Sequence, residues 1–141
     1  MLSLVLAIVL PTILSGGMPM TTIAKGGISN VMEPREVVVR SADEWTRLWH
    51  DHAGADAAAP AVDFGSSMVV GVFLGARNTG GYAIEITAVE QDAAAIVVRY
   101  TENKPGPGAM LAQVITSPFH LVSVTRVDGP VRFERTEKAG R

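Results

Sequence analysis

The sequence predicts an α+β domain: an antiparallel sheet of about six or seven strands with one N-terminal helix, residues 41–52, packed on it. Three observations carry this. Residues 68–74 (Met68 Val69 Val70 Gly71 Val72 Phe73 Leu74) form a continuous apolar run of strand length, rich in β-branched residues, as a strand covered on both faces requires. Residues 82–90 and 94–102 alternate apolar and polar side chains with the period-2 pattern of half-buried strands. A single segment, 41–52, carries a helical stripe, and that stripe holds both tryptophans of the chain. A β-sandwich or partly closed barrel with the helix as a plug is the near alternative.

Taken in order, residues 2–14 (LSLVLAIVLPTIL) are uncharged and apolar, of signal-peptide core length and short for a bilayer span, with Ser15, Gly16 and Gly17 following. Residues 1–17 therefore read as a signal or hydrophobic N-terminal segment. Export to the periplasm or the extracellular space is the expectation, with no stable membrane span after processing. Translation from Met18, Met20 or Met32 would instead leave a cytoplasmic protein. Residues 18–35 are rich in Gly, Thr, Ser and Met without periodicity and read as a linker. The globular domain spans 36–134, and the charged residues 135–141 read as a flexible tail.

Residues 36–40 make a short strand with Val37, Val38 and Val39 between polar ends. Ser41 and Glu44 form a capping box, and Asp43 adds negative charge where the helix dipole is positive. Trp45, Leu48, Trp49 and His52 then fall on one face, with His52 at the C-terminal end, where the dipole favours a cation. Pro60 stops any continuation, and Asp63 reads as a turn residue.

After the central run come Arg77, Asn78 and Thr79, then Gly80-Gly81, which suit a reversal into the strand that starts at Tyr82. Neighbouring strands pair most simply as an antiparallel meander, with Glu85 opposite Arg99 on a solvated face. Residues 104–108 are a proline-glycine loop; 113–116 resume extended structure; Ser117-Pro118 interrupts it; residues 119–127 are the last long strand, and 131–133 close the domain.

Composition narrows the chemistry. With 12 basic and 14 acidic residues there is no positive excess of the kind a phosphate backbone demands, so nucleic acid is not an expected partner. The chain has no cysteine, hence no thiolate nucleophile, no Cys-ligated zinc and no lipid-modified cysteine. Ser117, His120 and Asp128 or Asp63 lack the elbow that exposes a hydrolase serine. His50 and His52 on one helix point to different faces, so no metal is expected, and no glycine-rich phosphate cradle joins a strand to a helix. No cofactor and no catalytic residue is assigned.

What remains is a recognition surface on loops: Arg77, Thr79, Gly80, Gly81 and Tyr82 in one, and Gln113, Thr116, Ser117 and His120 in another, expected to face each other at one edge of the sheet.

The ordered succession of Trp45-x-x-Leu48-Trp49, of Val62 Asp63 Phe64, of residues 68–75 with Arg77 and Thr79 Gly80 Gly81 Tyr82, and of residues 113–118 with His120 resembles the C-terminal domain family of PrcB, a subunit of a bacterial secreted protease complex. The resemblance covers roughly residues 36–134; Asn78 stands where such sequences often have proline. It implies an exported, non-enzymatic domain that binds protein, as an accessory or stabilising subunit for a protease. Separately, Thr79-Gly80-Gly81-Tyr82 is similar to the T-T-G-Y loop of chagasin-like cysteine protease inhibitors, which implies an inhibitor as the alternative. A small-molecule enzyme or binder, with a deep pocket at Arg77, Gln113 and His120, is the third reading.

Overall fold

The computed structural model describes residues 17–137; the expected signal segment lies almost wholly outside them, as do residues 138–141 of the expected tail. The elements are β1 (Met20–Gly26), β2 (Arg35–Val39), α1 (Ala42–Ala53), β3 (Ser67–Phe73), β4 (Ala83–Gln91), β5 (Ile96–Asn103), β6 (Phe119–Thr125) and β7 (Val131–Glu137). The α+β class holds, with one helix on largely antiparallel strands. The strands divide into two sheets, ordered β1-β6-β3-β2 and β4-β5-β7, and neither closes into a barrel.

The central strand explains the layering. Along β3, Met68, Val70 and Val72 face the second sheet and join Ile84, Ile86, Ile96 and Val98 in one core. Val69 and Phe73 point the other way, into a second core with Trp45, Leu48, Phe119 and Leu121. Helix, first sheet and second sheet are thus three layers, and β3 is buried on both faces, as its unbroken apolar run requires. Gly71 belongs to this packing: a Cβ there would lie 2.3 Å from Leu121 Cδ2.

The helix starts where the cap predicts. Ser41 Oγ accepts the Glu44 N–H at 3.2 Å, and Glu44 Oε1 accepts from the Ser41 hydroxyl at 3.0 Å. The Trp45 indole N–H donates to the Pro60 carbonyl, so the buried ring has its polar edge satisfied.

Several expectations are corrected. The chain between β3 and β4 is not a hairpin: it carries β4 into the other sheet, because both faces and both edges of β3 are already occupied. Residues 18–35 are not a linker, since Met20–Gly26 pairs antiparallel with β6. As an edge strand with most side chains exposed and a register shift between Thr22 and Ala24, β1 has no period-2 signature to read. β7 pairs parallel with β5 instead of returning beside β6, and it extends to Glu137, into the expected tail. Residues 113–116 form no strand; Thr116 makes one bridge, to Arg77. A bulge at Thr87 shifts the β4 register, so Arg99 lies opposite Ala88 and binds Glu90 and Glu134, while Glu85 reaches Lys25.

Candidate functional site

Two loops meet where the chain leaves β3 and enters β6. The Arg77 N–H donates to the Thr116 carbonyl at 2.7 Å and the Thr116 N–H returns to Arg77 at 2.9 Å. The Thr116 hydroxyl donates to the Thr79 carbonyl, and the Gly80 N–H to the Ala112 carbonyl. Gly81 has φ 91°, and a side chain there would meet Leu111 Cδ2 at 2.8 Å and Pro105 Cβ at 2.9 Å. Glycine is needed at that point because two separate parts of the 104–118 loop, at Pro105 and at Leu111, close on its Cα. The two predicted loops do face each other.

Their side chains divide sharply by burial. Arg77 turns inward: its Nε and Nη2 donate to Glu102 Oε1 at 3.3 and 3.2 Å, and its guanidinium carbon lies 5.7 Å from the centre of the Tyr82 ring. Glu102, with only 4% of its side chain exposed, also receives Arg135. A buried carboxylate held between two guanidinium groups is a structural tie between the loop and the second sheet. Glu102 stands at the end of an alternating strand, and nothing in the local pattern distinguishes it from a solvated charge.

Thr116, Ser117 and His120 are buried as well. The Ser117 hydroxyl donates to the Ser29 carbonyl and accepts the Ser29 N–H, stapling residues 27–31 to the start of β6. The Ser29 hydroxyl, accepting from the Val31 N–H, lies 2.8 Å from Nδ1 of His52. His52 is therefore not a dipole-stabilised surface cation: it packs 4.2 Å from Phe119 between ring centres, and burial lowers its pKa. His120 Nδ1 accepts the Ile86 N–H at 2.9 Å, so its proton sits on Nε2 and is donated to Thr22 Oγ1 at 2.9 Å. The Ile86 N–H adjoins the bulge in β4, and His120 satisfies it across the gap between the sheets. Burial, with Lys25 nearby as the second cause, pushes the His120 pKa down to about 4. Ser117 and His120 bind different partners and form no nucleophile–base pair. Among the described residues no group of three or more His, Asp or Glu is placed to hold a metal ion.

The exposed part of the loop pair is apolar. Met110, Val114 and Ile115 project into solvent at 101, 53 and 67% exposure, and Gln113 between them is exposed too. Ile28 and Met32 are likewise exposed on the segment that hydrogen-bonds this region, through Gly27 O to Ser117 N–H and Met32 O to Ala76 N–H. These apolar side chains are thus held in solvent on loops fixed by backbone hydrogen bonds. Met110, Val114 and Ile115 follow the proline-glycine residues 104–108 with no period that would place them in a core, so the expected extended structure at 113–116 gave no warning of their exposure.

A family model decides the relationship: the model described as PrcB C-terminal matches residues 68–125. These residues belong to the PrcB C-terminal family. The match runs from β3 through β6 and contains both loops of the site. β1, β2, α1 and β7 lie outside the part matched to the PrcB C-terminal model. A search of curated proteins and a search of solved structures each return no match.

Proposed function

We propose that this is a non-enzymatic, exported protein-binding domain that serves as an accessory or stabilising subunit of a secreted protease complex. The family links it to such a complex. The observation that carries the binding role is the exposed apolar group Met110, Val114 and Ile115 on a loop fixed to its neighbour by backbone hydrogen bonds. Such a surface loses little conformational entropy on docking and offers the apolar area that a partner must bury. The apolar segment 2–14 supports export.

An inhibitor working through residues 79–82 would need that loop to project. Gly81 lies against Leu111 and Pro105, and Tyr82 packs on the core, so residues 110–115 project instead.

The test is capture from the native host's secreted fraction with the tagged full chain, alongside N-terminal sequencing of the mature protein. Wild type should retain a protease without inhibiting it, and the double variant Val114→Asp, Ile115→Asp should lose it at unchanged Tm. Retention by the double variant overturns the surface assignment. Inhibition of the captured protease overturns the accessory role in favour of an inhibitor.

A further inference from the structure

The edge of the first sheet at β2 has a cavity on each of its two faces. β2 ends the order β1-β6-β3-β2, and among the described residues nothing hydrogen-bonds the outward backbone of Arg35–Val39. On the inter-sheet face, an opening of about 330 Å³ is floored by Val72 and Ile84 and ringed by Glu36, Tyr100, Arg77 and Arg135. On the helix face, a groove of about 380 Å³ runs along all five residues of β2, with Leu48 beneath and Arg47, Glu44 and Asp51 at its rim. Arg35 borders both.

We infer that β2 is a docking edge for an extended peptide segment that adds as a further strand, with acidic side chains toward the inter-sheet cavity and apolar ones toward the helix. The backbone of an unpaired edge supplies donors and acceptors that only another extended chain can match along its length. Successive side chains of an added strand point to opposite faces, which is how the two cavities are disposed. Charge selects what enters each. Arg35, Arg77 and Arg135 line the inter-sheet cavity, Arg77 and Arg135 sharing the buried Glu102 behind it, so that three guanidinium groups stand against two carboxylates, Glu102 and Glu36, and the Glu36 Oε2 is already occupied by the Tyr100 hydroxyl at 2.7 Å. The helix-side groove has Val37, Val39 and Leu48 as its apolar surface and a rim of mixed charge, Arg47 with Glu44 and Asp51.

The outer edge of β4, by contrast, is already partly engaged. On β4, His120 takes the Ile86 N–H and Met18 N–H donates to the Val89 carbonyl. β7 contributes Arg135 to the opening already described. The inference is independent of the loop surface proposed above, although Arg77 adjoins both.

The test uses the full chain and three synthetic hexapeptides, acetylated and amidated: alternating valine and glutamate, alternating valine and lysine, and the glutamate peptide N-methylated on alternate residues. Isothermal titration calorimetry should show the glutamate peptide binding with a Kd on the order of 0.1 mM or tighter. Methylation, which removes ladder donors, should weaken it about tenfold or more, as should lysine for glutamate. Hydrogen exchange should slow at residues 35–39 on binding. Arg35→Glu, at an exposed position whose partner Asp51 is also at the surface, should weaken the glutamate peptide about tenfold and spare the lysine peptide. Equal binding of the methylated peptide, protection at another edge, or no binding of any peptide overturns the inference. Protection of residues 35–39 in the free protein together with a dimeric mass also overturns it, since the occupant would then be a second copy.

Discussion

Residues 110–115 and 116–121 are contiguous, yet solvent reaches most of the first group and none of the second group's side chains is more than marginally exposed. The apolar Val114 and Ile115 lie in water, whereas the polar Thr116, Ser117 and His120 lie in the interior. The inversion teaches that polarity at this junction reports backbone bookkeeping, not solvation. Where three loops and a strand end meet, carbonyl and N–H groups of residues 29, 79 and 86 need partners, and hydroxyl and imidazole groups supply them. The apolar Met110, Val114 and Ile115 beside them stay in solvent.

The largest expected effect tests the buried side of this contrast against the exposed side. Phe119→Ala should destabilise by about 3–5 kcal/mol, since it empties ring volume between His52 and Phe73. Ile115→Ala should stay within about 0.5 kcal/mol of wild type. Urea unfolding of both variants checks this, and similar costs would break the distinction.

Acid probes the same junction through His120. The unfolded chain's imidazole takes a proton near 6.5, the folded one near 4. Between these values the unfolded state binds more protons, so this histidine's contribution is complete above pH 6.5 and is lost as pH falls toward 4, about 2–3 kcal/mol in all. Burial of His52 acts in the same direction. Protonation at Nδ1 would also set two N–H groups against each other at Ile86. Urea unfolding at pH 7 and pH 4.5 measures the loss, and an NMR titration of the His120 ring assigns it; a ring titrating near 6.5 in the folded protein would contradict the buried geometry.

Much of this architecture is legible in the residues, for identifiable reasons. The run 68–74 and the Ser41 cap each have a local signature and form where expected, whereas β5, at Ile96–Asn103, buries Val97 and Thr101 that a half-buried alternation would leave outside. β1 was missed because an exposed, bulged edge strand has no alternation, and the parallel pairing of β7 because partner choice is decided by the whole sheet. For the site, the convergence of loops 77–82 and 110–117 follows from strand order. Which side chains turn inward does not, because threonine, serine and histidine serve equally as buried partners and as surface groups, and only the neighbouring backbone decides.

Ser117→Ala sharpens the account of the staple. It removes the acceptor for Ser29 N–H and the donor to Ser29 C=O in a buried setting, for an expected cost of about 1–3 kcal/mol. Gln113→Ala, four residues earlier and exposed, should be neutral by the same thermal melt. Equal melting temperatures for the two variants would show that water replaces the hydroxyl.

Arg77→Ala is the subtlest case, because its side chain belongs to both halves of the contrast. As a surface arginine it would cost almost nothing to remove. As a partner of Glu102 it leaves a buried carboxylate with Arg135 alone, and the expected cost is about 1–2 kcal/mol, below that of breaking a buried pair outright because one guanidinium remains. The double-mutant cycle with Glu102→Gln separates the two: neutralising Glu102 should remove most of the Arg77→Ala penalty, giving a coupling of about 1 kcal/mol. Additive losses would mean that Arg77 acts mainly through its stacking on Tyr82 and its bond to the Ala76 carbonyl. The guanidinium would then be a feature of the loop alone, and the tie between the loop and the second sheet would rest on backbone contacts.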